Sequence, residues 1–469
     1  IHDNVLGVSV EDSSNDIIHN HFINNYEQAY SIGGNVWDDD ERGNYWGDYA
    51  GEDNDGDGIG DTPRLIPEGD QDNHPLMYMN AFTSYPYLEE VVVKDNYGPL
   101  TPRWGYDTFA DIQSGHDAVA TDGTVIVKNG MYSSVVISNR INLVGEQIGD
   151  FRPTIDGGDY GDVVRITADD VAVSGFVIQN SGNGAYDAGI DIEEDRSTVH
   201  DCTIQNNEYG IYARRPGNIF YNNDFLDNDY GLGGNIVAPP NKVYHNNFIG
   251  NTHHIHPYQY GADWEEPYPE GGNYWFGYAG IDQNEDGIGD TPQFIGSGYY
   301  DDYPFMAEDG WETGPEIILS ETFASITGLY YSPELADTFI SDNVYIQIDS
   351  EMILSGSPEG APVQIEFETH APVHDDMRFV LEAHTLGAGI QQVIELFNYE
   401  SDAYETVDSR RSTPNNDSIV IVHIVDDPTR FIDGSTGEMK ARLSWRNVGR
   451  QLVLWPYRAY IDQVIWLFP

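Results

Sequence analysis

Lysine is almost missing from this 469-residue chain. There are four, Lys94, Lys128, Lys242 and Lys440, and Lys+Arg together number 21 against 79 Asp+Glu, a formal net charge of −58. A surface of that sign repels nucleic-acid phosphates and anionic lipid headgroups, so neither is expected as a partner. It suits a chain that holds many cations or works in high salt. Cysteine is reduced to Cys202 alone, which excludes an intrachain disulfide framework. Its place inside a repeated strand makes it a small core residue rather than a reactive thiol. No apolar run reaches the roughly 18 residues of a membrane-spanning helix, and no leader peptide is evident. The first residues read as the middle of a repeat, so the missing leader says little about export. Disorder is excluded by 39% hydrophobic and 13% aromatic content, which leaves ample apolar surface to bury.

What the chain does have is a duplicated phrase. Asn44-Tyr45-Trp46 leads to Asp53-x-Asp55-x-Asp57-Gly58-Ile59-Gly60-Asp61-Thr62-Pro63. Asn273-Tyr274-Trp275 leads to Asp282-x-Asn284-x-Asp286-Gly287-Ile288-Gly289-Asp290-Thr291-Pro292. The match runs without a gap to Asp72-x-x-Pro75-x-Met77 and Asp301-x-x-Pro304-x-Met306. Oxygens on alternate residues, a turn glycine at the sixth position and a further carboxylate at the ninth are what a calcium loop needs. The expected ligands are Asp53, Asp55, Asp57, the Ile59 carbonyl and Asp61, and in the second copy Asp282, Asn284, Asp286, the Ile288 carbonyl and Asp290. The twelfth position is Arg64 or Gln293, where an EF-hand places a bidentate glutamate, so this is a different loop and another carboxylate must close the shell. Asp72 and Asp301 are the duplicated candidates. A plain acidic turn has no need of carboxylates at alternate positions.

A second repeat occupies residues 160–250. Gly189-Ile190-Asp191-Ile192, Gly210-Ile211-Tyr212-Ala213 and Gly231-Leu232-Gly233-Gly234 recur every 21 residues, separated by Asn, Asp and Gly turns. Alternation turns Ile190, Ile192, Ile211, Ala213 and Leu232 inward. One such rung cannot bury its apolar face, but stacked rungs share a continuous core. The pattern predicts a right-handed parallel β-helix with asparagine ladders. The same register sets Glu193 and Glu194 beside Arg214 and Arg215, an outward ion ladder. Residues 108–119 have helical spacing and read as a short cap beneath the first rung, which begins near Gly123. Residues 1–79 resemble the last rungs of an earlier helix. Beyond residue 310 longer strands are predicted at 344–348, 363–367, 379–383, 393–397, 419–424, 441–445 and 461–468, spaced as in an antiparallel β-sandwich. The expected fold is all-β, in three domains: 1–79 as terminal rungs with a calcium loop, 80–309 as a capped β-helix with a calcium loop, and 313–469 as the sandwich.

The Asn-Tyr-Trp and Asp-x-Asp-Gly-Asp-Gly-Ile-Gly-Asp-Thr-Pro phrases, with the Asn-rich rungs, resemble the NosD-like (CASH) right-handed β-helix repeat proteins over residues 1–306. The sandwich phrases Ile394-Glu395-Leu396-Phe397-Asn398-Tyr399 and Ile461-Asp462-Gln463-Val464-Ile465-Trp466 are similar to an uncharacterised C-terminal domain of exported proteins. The resemblance implies placement outside the membrane, on the cell surface or extracellular, and frequent association with sugars. The family name makes copper conceivable at His19, His21, His253, His254 and His256, although surface Asn/His ladders account for them better. A lyase would need a basic residue beside a uronate. A glycosidase would need two carboxylates, for which Asp191 with Glu193 is the best pair. No catalytic residue is assigned. The expected function is a calcium-stabilised extracellular rod, in its sharper form a filament or sheath subunit that self-associates end to end or meets other surface proteins. The competing class is a polysaccharide-active enzyme or carbohydrate-binding surface protein.

Overall fold

A computed structural model describes residues 1–12, 14–40, 42–53, 58–77, 88–98, 101, 103–105, 107–149, 151–234, 240–257, 262–331, 334–351, 361–387, 389–447 and 457–469. The regular structure of the described chain is nearly all β, a parallel β-helix followed by antiparallel sheets. It forms two compact units: residues 1–219, 223–239 and 251–256, and residues 220–222, 240–250 and 257–469.

In the first unit, Leu6–Val10 pairs with Glu27–Ser31 and His21–Phe22 with Tyr45–Trp46 in parallel, Arg64–Leu65 pairs with Gln71–Asp72 antiparallel, and from residue 88 on the chain is a coil of short parallel strands in three ladders. One ladder stacks Val135–Ile137, Val164–Ile166, Ala188–Ile192, Tyr209–Ala213, Tyr230–Gly234 and His253–Ile255. Its register pairs Ile190 with Ile211, Ile211 with Leu232 and Leu232 with Ile255. Ile190, Ile211 and Leu232 are fully buried, the single column that the 21-residue period predicts. A second ladder stacks Ile155, Ile178, Ile204 and Phe225, and a third stacks Leu143, Val173 and Val199. Between strands the coil turns on residues in the left-handed region, among them Asn180, Asp201, Asn206 and Asp227, where short polar side chains tolerate a positive φ. Buried asparagines hold the corners together. Asn228 Oδ1 accepts from the Asn207 backbone N–H at 3.0 Å, and Asn251 Oδ1 accepts from that of Asn228 at 3.0 Å. Each such amide satisfies backbone groups that no strand partner reaches. Cys202 is fully buried, and burial pushes its thiol up to about 12, as a core residue requires. The helix Ile112–Ala118 is shorter than the 108–119 read from the sequence: Thr108–Phe109 pairs as a strand with Val92–Val93, and the helix starts after Asp111, which accepts from the Ser114 N–H as N-cap.

The outward ion ladder differs from its sequence expectation. Arg214 makes a two-pronged bond to Asp191, at 2.9 and 2.8 Å, and reaches Glu193 only at 4.0 Å. Glu193 is taken by Arg165 at 2.8 Å. Asp191 is 1% exposed, so Arg214 compensates a buried charge and not a solvated one. The planar guanidinium matches a carboxylate edge better than a single oxygen of a more distant glutamate.

In the second unit, Asn241–Tyr244 pairs with Ala262–Asp263, and Asn247–Ile249 with Tyr274–Trp275, both in parallel. Two antiparallel sheets follow. One orders Leu329–Tyr331, Ile346–Asp349, Arg458–Phe468, Met377–Leu386 and Ser418–Ile424, with Glu316–Leu319 also on Arg458–Phe468. The other orders Thr322–Thr327, Val363–His370, Glu438–Asn447, Ile390–Asn398 and Ala403–Arg411. Their inner faces share one apolar core that includes Phe367, Phe379, Leu443, Trp445, Ile461 and Trp466. All seven strands read from the sequence are present; the four strands missed there are more exposed or lack clean alternation.

Candidate functional site

Each copy of the duplicated unit has an anchor half and a loop half. In the anchor, Asp72 Oδ2 accepts from the Asn44 N–H at 2.7 Å and from Trp46 Nε1 at 2.8 Å, while Oδ1 accepts from the His74 N–H at 3.1 Å. Asp301 repeats this with Asn273 at 2.8 Å, Trp275 Nε1 at 2.7 Å and Tyr303 at 3.1 Å. Asn44 Nδ2 donates to the Ile17 and Trp37 carbonyls, and Asn273 Nδ2 to those of Val243 and Trp264. Trp46 stacks on Phe22 and Trp275 on Phe248, each at 4.4 Å between ring centres. A Cβ on Gly43 or Gly272 would collide with the carboxylate of Asp72 or Asp301, so glycine is required for the acid to enter. The two acids expected to close an ion shell are thus engaged with the asparagine and tryptophan of their own copy.

The loop half curls on its own side chains. Gly58 and Gly287 sit at φ +84° and +85°, the turn that the sixth position demands. Asp53 Oδ2 accepts from the Gly58 N–H at 3.1 Å, and Asp282 Oδ2 from the Gly287 N–H at 3.0 Å. Ile59 bridges to Leu76 and Ile288 to Phe305. The N–H groups of Asp61 and Asp290 donate to the Glu52 and Ile281 carbonyls at 2.9 and 2.8 Å. Asp55 and Asp57 lie outside the described residues. In the second copy the Asp286 N–H faces Asp282 Oδ1 at 3.2 Å and Asn284 Oδ1 at 3.3 Å. Asp286 Oδ1 accepts from the Ile288 N–H at 2.8 Å, and Asp290 Oδ2 from the Gln283 N–H at 2.7 Å. Burial raises the Asp282 carboxyl, and burial followed by the Asp282 charge lifts Asp286 to about 7. Among the described residues neither loop gathers three carboxylates as tightly as the sandwich does at Glu382, Asp417 and Asp462.

The second loop has neighbours that no local motif could announce. Tyr268 donates to Asp286 Oδ2 at 2.9 Å. Asn284 Nδ2 donates to Gln463 Oε1 of the sandwich at 3.0 Å, and Arg378 meets Glu285 at 3.2 Å. These partners lie up to 179 residues away.

Residues 1–51 and 153–280 match the family described as periplasmic copper-binding protein (NosD). These stretches, less than half of the chain, carry NosD-type β-helix repeats. No curated protein sequence matches the chain. Among solved structures, a xylan-binding module, CBM15, aligns over 33% of this chain and 97% of its own, at 11% identity and a TM-score of 0.23. TmCBM61 in complex with β-1,4-galactotriose aligns over 32% and 88%, at 10% identity and 0.20. A family 29 carbohydrate-binding module aligns over 31% and 86%, at 12% and 0.16. Likeness at these scores carries no functional argument.

Among the described residues His19, His21, His253, His254 and His256 form no group of three potential ligands. Copper sites draw on imidazole and on thiolate or thioether sulfur. His19 pairs with Asp39 at 3.0 Å, His21 packs edge-on to Tyr45, and His253 and His256 lie against Tyr230. The one cysteine is a buried thiol. Among the described residues, the one cluster of three potential ligands is all carboxylate, a donor set for hard cations. No helix of the described residues is long and apolar enough to cross a membrane.

Proposed function

We propose that this chain is a structural protein of the cell surface or extracellular space, a β-helix scaffold locked by calcium at its duplicated loops. The observation that carries the reading is the loop–anchor unit itself. One half is wired into the coil by asparagine and tryptophan, and the other collects acidic side chains around a glycine turn. The ligands would be Asp282, Asn284, Asp286, the Ile288 carbonyl and Asp290, with Asp53, Asp55, Asp57, the Ile59 carbonyl and Asp61 in the first copy. Asp72 and Asp301 would fix the tryptophan and asparagine beneath each loop. An ion bound only by the folded state stabilises it in proportion to the logarithm of its concentration over Kd. Differential scanning calorimetry in calcium and then in chelator tests this. The expected outcome is a lower transition in chelator, with the difference reduced in Asp286→Ala and Asp53→Ala. Equal transitions overturn it.

In its finer form, copies of the scaffold associate end to end. With a net charge of −58, such contacts would require screening or bridging by cations. Electron microscopy with calcium and then with chelator distinguishes a filament from a monomer.

One observation favours a second reading, a polysaccharide-binding or polysaccharide-cleaving surface. On the first unit Tyr209 stacks on Tyr230 at 4.8 Å, Tyr230 on His253 at 5.0 Å, and Tyr186 lies 5.0 Å from Tyr212. Tyr209 is buried, while Tyr186 and His253 are exposed and Tyr212 and Tyr230 half-buried, so the outer members of the strip set aromatic rings beside polar groups, a composition found in ligand surfaces. The carboxylate pair Asp191 and Glu193 is held there by Arg214 and Arg165. Release of soluble sugar from acidic polysaccharides, lost in Tyr230→Ala, would favour this reading over the scaffold.

A further inference from the structure

The long strands of the sandwich carry an irregularity with a chemical consequence. Along Arg458–Phe468, Ala459 and Ile461 face the apolar core, and so do Val464, Trp466 and Phe468. The alternation slips by one residue between Ile461 and Val464. Pairing shows why: Glu382 opposes Gln463 and Ala383 opposes Ile461, so Asp462 is the extra residue of a β-bulge. Bulges re-aim side chains and recur beside functional sites. Here both bulged residues leave the core face. Gln463 reaches Asn284 of the second loop at 3.0 Å. Asp462 joins Glu382 and Asp417, with one oxygen of each within 4.8 Å of the others.

Glu382 is 8% exposed and Asp462 1% exposed. Glu382 Oε2 and Asp462 Oδ1 are buried without a hydrogen-bond partner among the described residues. The Glu382 carboxyl has a side-chain hydrogen bond with Ser341, but for these two oxygens no donor of the described residues repays the cost of burial. No Lys or Arg of the described residues lies at ion-pair distance from either acid. Beside the cluster the sheet's outer face is apolar, with Val380, Ile465 and Leu467.

We propose that Glu382, Asp417 and Asp462 form a second kind of cation site, distinct from the duplicated loops, that binds a hard divalent ion of the calcium class. The donors are all carboxylate oxygen, which selects calcium, magnesium or manganese over softer metals. The surroundings hold the donors in place. Asp417 Oδ1 meets His384 Nδ1 at 2.6 Å, and its Oδ2 accepts from the Tyr345 hydroxyl at 2.7 Å. Asp462 Oδ2 accepts from the Asn343 N–H at 3.2 Å, leaving Oδ1 for the ion. Partners of this kind orient metal ligands in established sites. One bulge thus sends adjacent side chains toward two ion sites.

Calorimetric titration of the chelator-stripped full chain with calcium chloride tests the site. Glu382→Gln with Asp462→Asn keeps shape and removes charge. The expected result is loss of one calcium equivalent, or an affinity lower by about tenfold or more at that step. Asp286→Ala removes a different equivalent, so failure of the loop reading and failure of this one are separable. A second measurement covers misfolding: in chelator the Gln/Asn variant melts at or above wild type, because like charges are relieved, and calcium no longer raises its transition as far. Unchanged stoichiometry and affinity in a folded variant overturn the proposal. So does a variant that melts below wild type in chelator, which would assign the acids a structural role without an ion.

Discussion

The two copies of the duplicated unit differ most where they are most alike in sequence. Their anchors are the same bond for bond: Asp72 and Asp301 hold the same asparagine and tryptophan, and the tryptophans stack on matched phenylalanines. The loops share their turn, yet live in different surroundings. Ile288 is buried where Ile59 is half-buried, and Asn284 and Asp286 are buried and bonded to Gln463 and Tyr268, while their counterparts Asp55 and Asp57 lie outside the described residues; Asp61 and Asp290 are both exposed. Arg64 of the first copy instead pairs with Asp48 at 2.8 Å and covers Trp46. Matched histidines diverge too: His19 pairs with Asp39, while His245 stacks flat on Trp311 at 5.3 Å. An anchor closed by its own side chains is independent of context. A loop with outward-facing donors takes on whatever packs against it.

The strongest way to break that comparison is to remove the anchor. Asp72→Ala and Asp301→Ala each leave a buried tryptophan N–H and an asparagine N–H unpaired. Each should cost about 3 kcal/mol, since an orphaned buried donor costs roughly 1–3 kcal/mol. Urea denaturation should give similar values for the two; a twofold difference would show that the anchor depends on context after all.

Calcium removal comes next. At a calcium concentration about 100 times Kd, a loop contributes roughly 2.7 kcal/mol, lost in chelator. Asp286→Ala should abolish the part due to the second loop and leave the first responsive. Thermal melts of the two loop variants, singly and combined, read this directly; a single loop variant that removed the whole calcium response would sink the picture of two independent loops.

Gln463→Ala sharpens the difference between the loops. It removes the partner of Asn284 Nδ2 and should cost about 1 kcal/mol, a typical net value for one hydrogen bond. Calcium affinity should change at the second loop only, which titration calorimetry of Gln463→Ala against wild type would show.

The smallest effect concerns the histidines. Burial lowers the pKa of His245 below its ordinary 6.5. The folded state therefore favours neutral His245, and this contribution is complete above the unfolded value and lost as pH falls below 6.5. In NMR titration His245 should protonate at lower pH than an exposed histidine, and Trp311→Ala should move it back upward. A titration of His245 at or above 6.5 would contradict the burial argument.

Much of this was legible in the chain alone. The 21-residue period named the Ile190–Ile211–Leu232 column because a stacked coil admits one inward residue per position per turn. The loop–anchor duplication was visible because local turns demand particular residues at particular offsets, glycine at Gly58 and Gly287 above all. The sandwich strands with clean alternation were found, and those without it were missed, since exposed edge strands have no apolar face to betray them. The Arg214 partner was misread by two residues, because register identifies neighbours but not which carboxylate presents an edge to a guanidinium. Composition, repeat and turn chemistry thus determined the fold class, the acidic surface and the two candidate loops. Only the tertiary structure decided that Asp72 and Asp301 bind tryptophan and asparagine, that Gln463 meets Asn284, and that Asp462 leaves its strand's alternation to join Glu382 and Asp417. Those contacts span up to 179 residues and depend on a one-residue slip in strand pairing, and no local pattern encodes either.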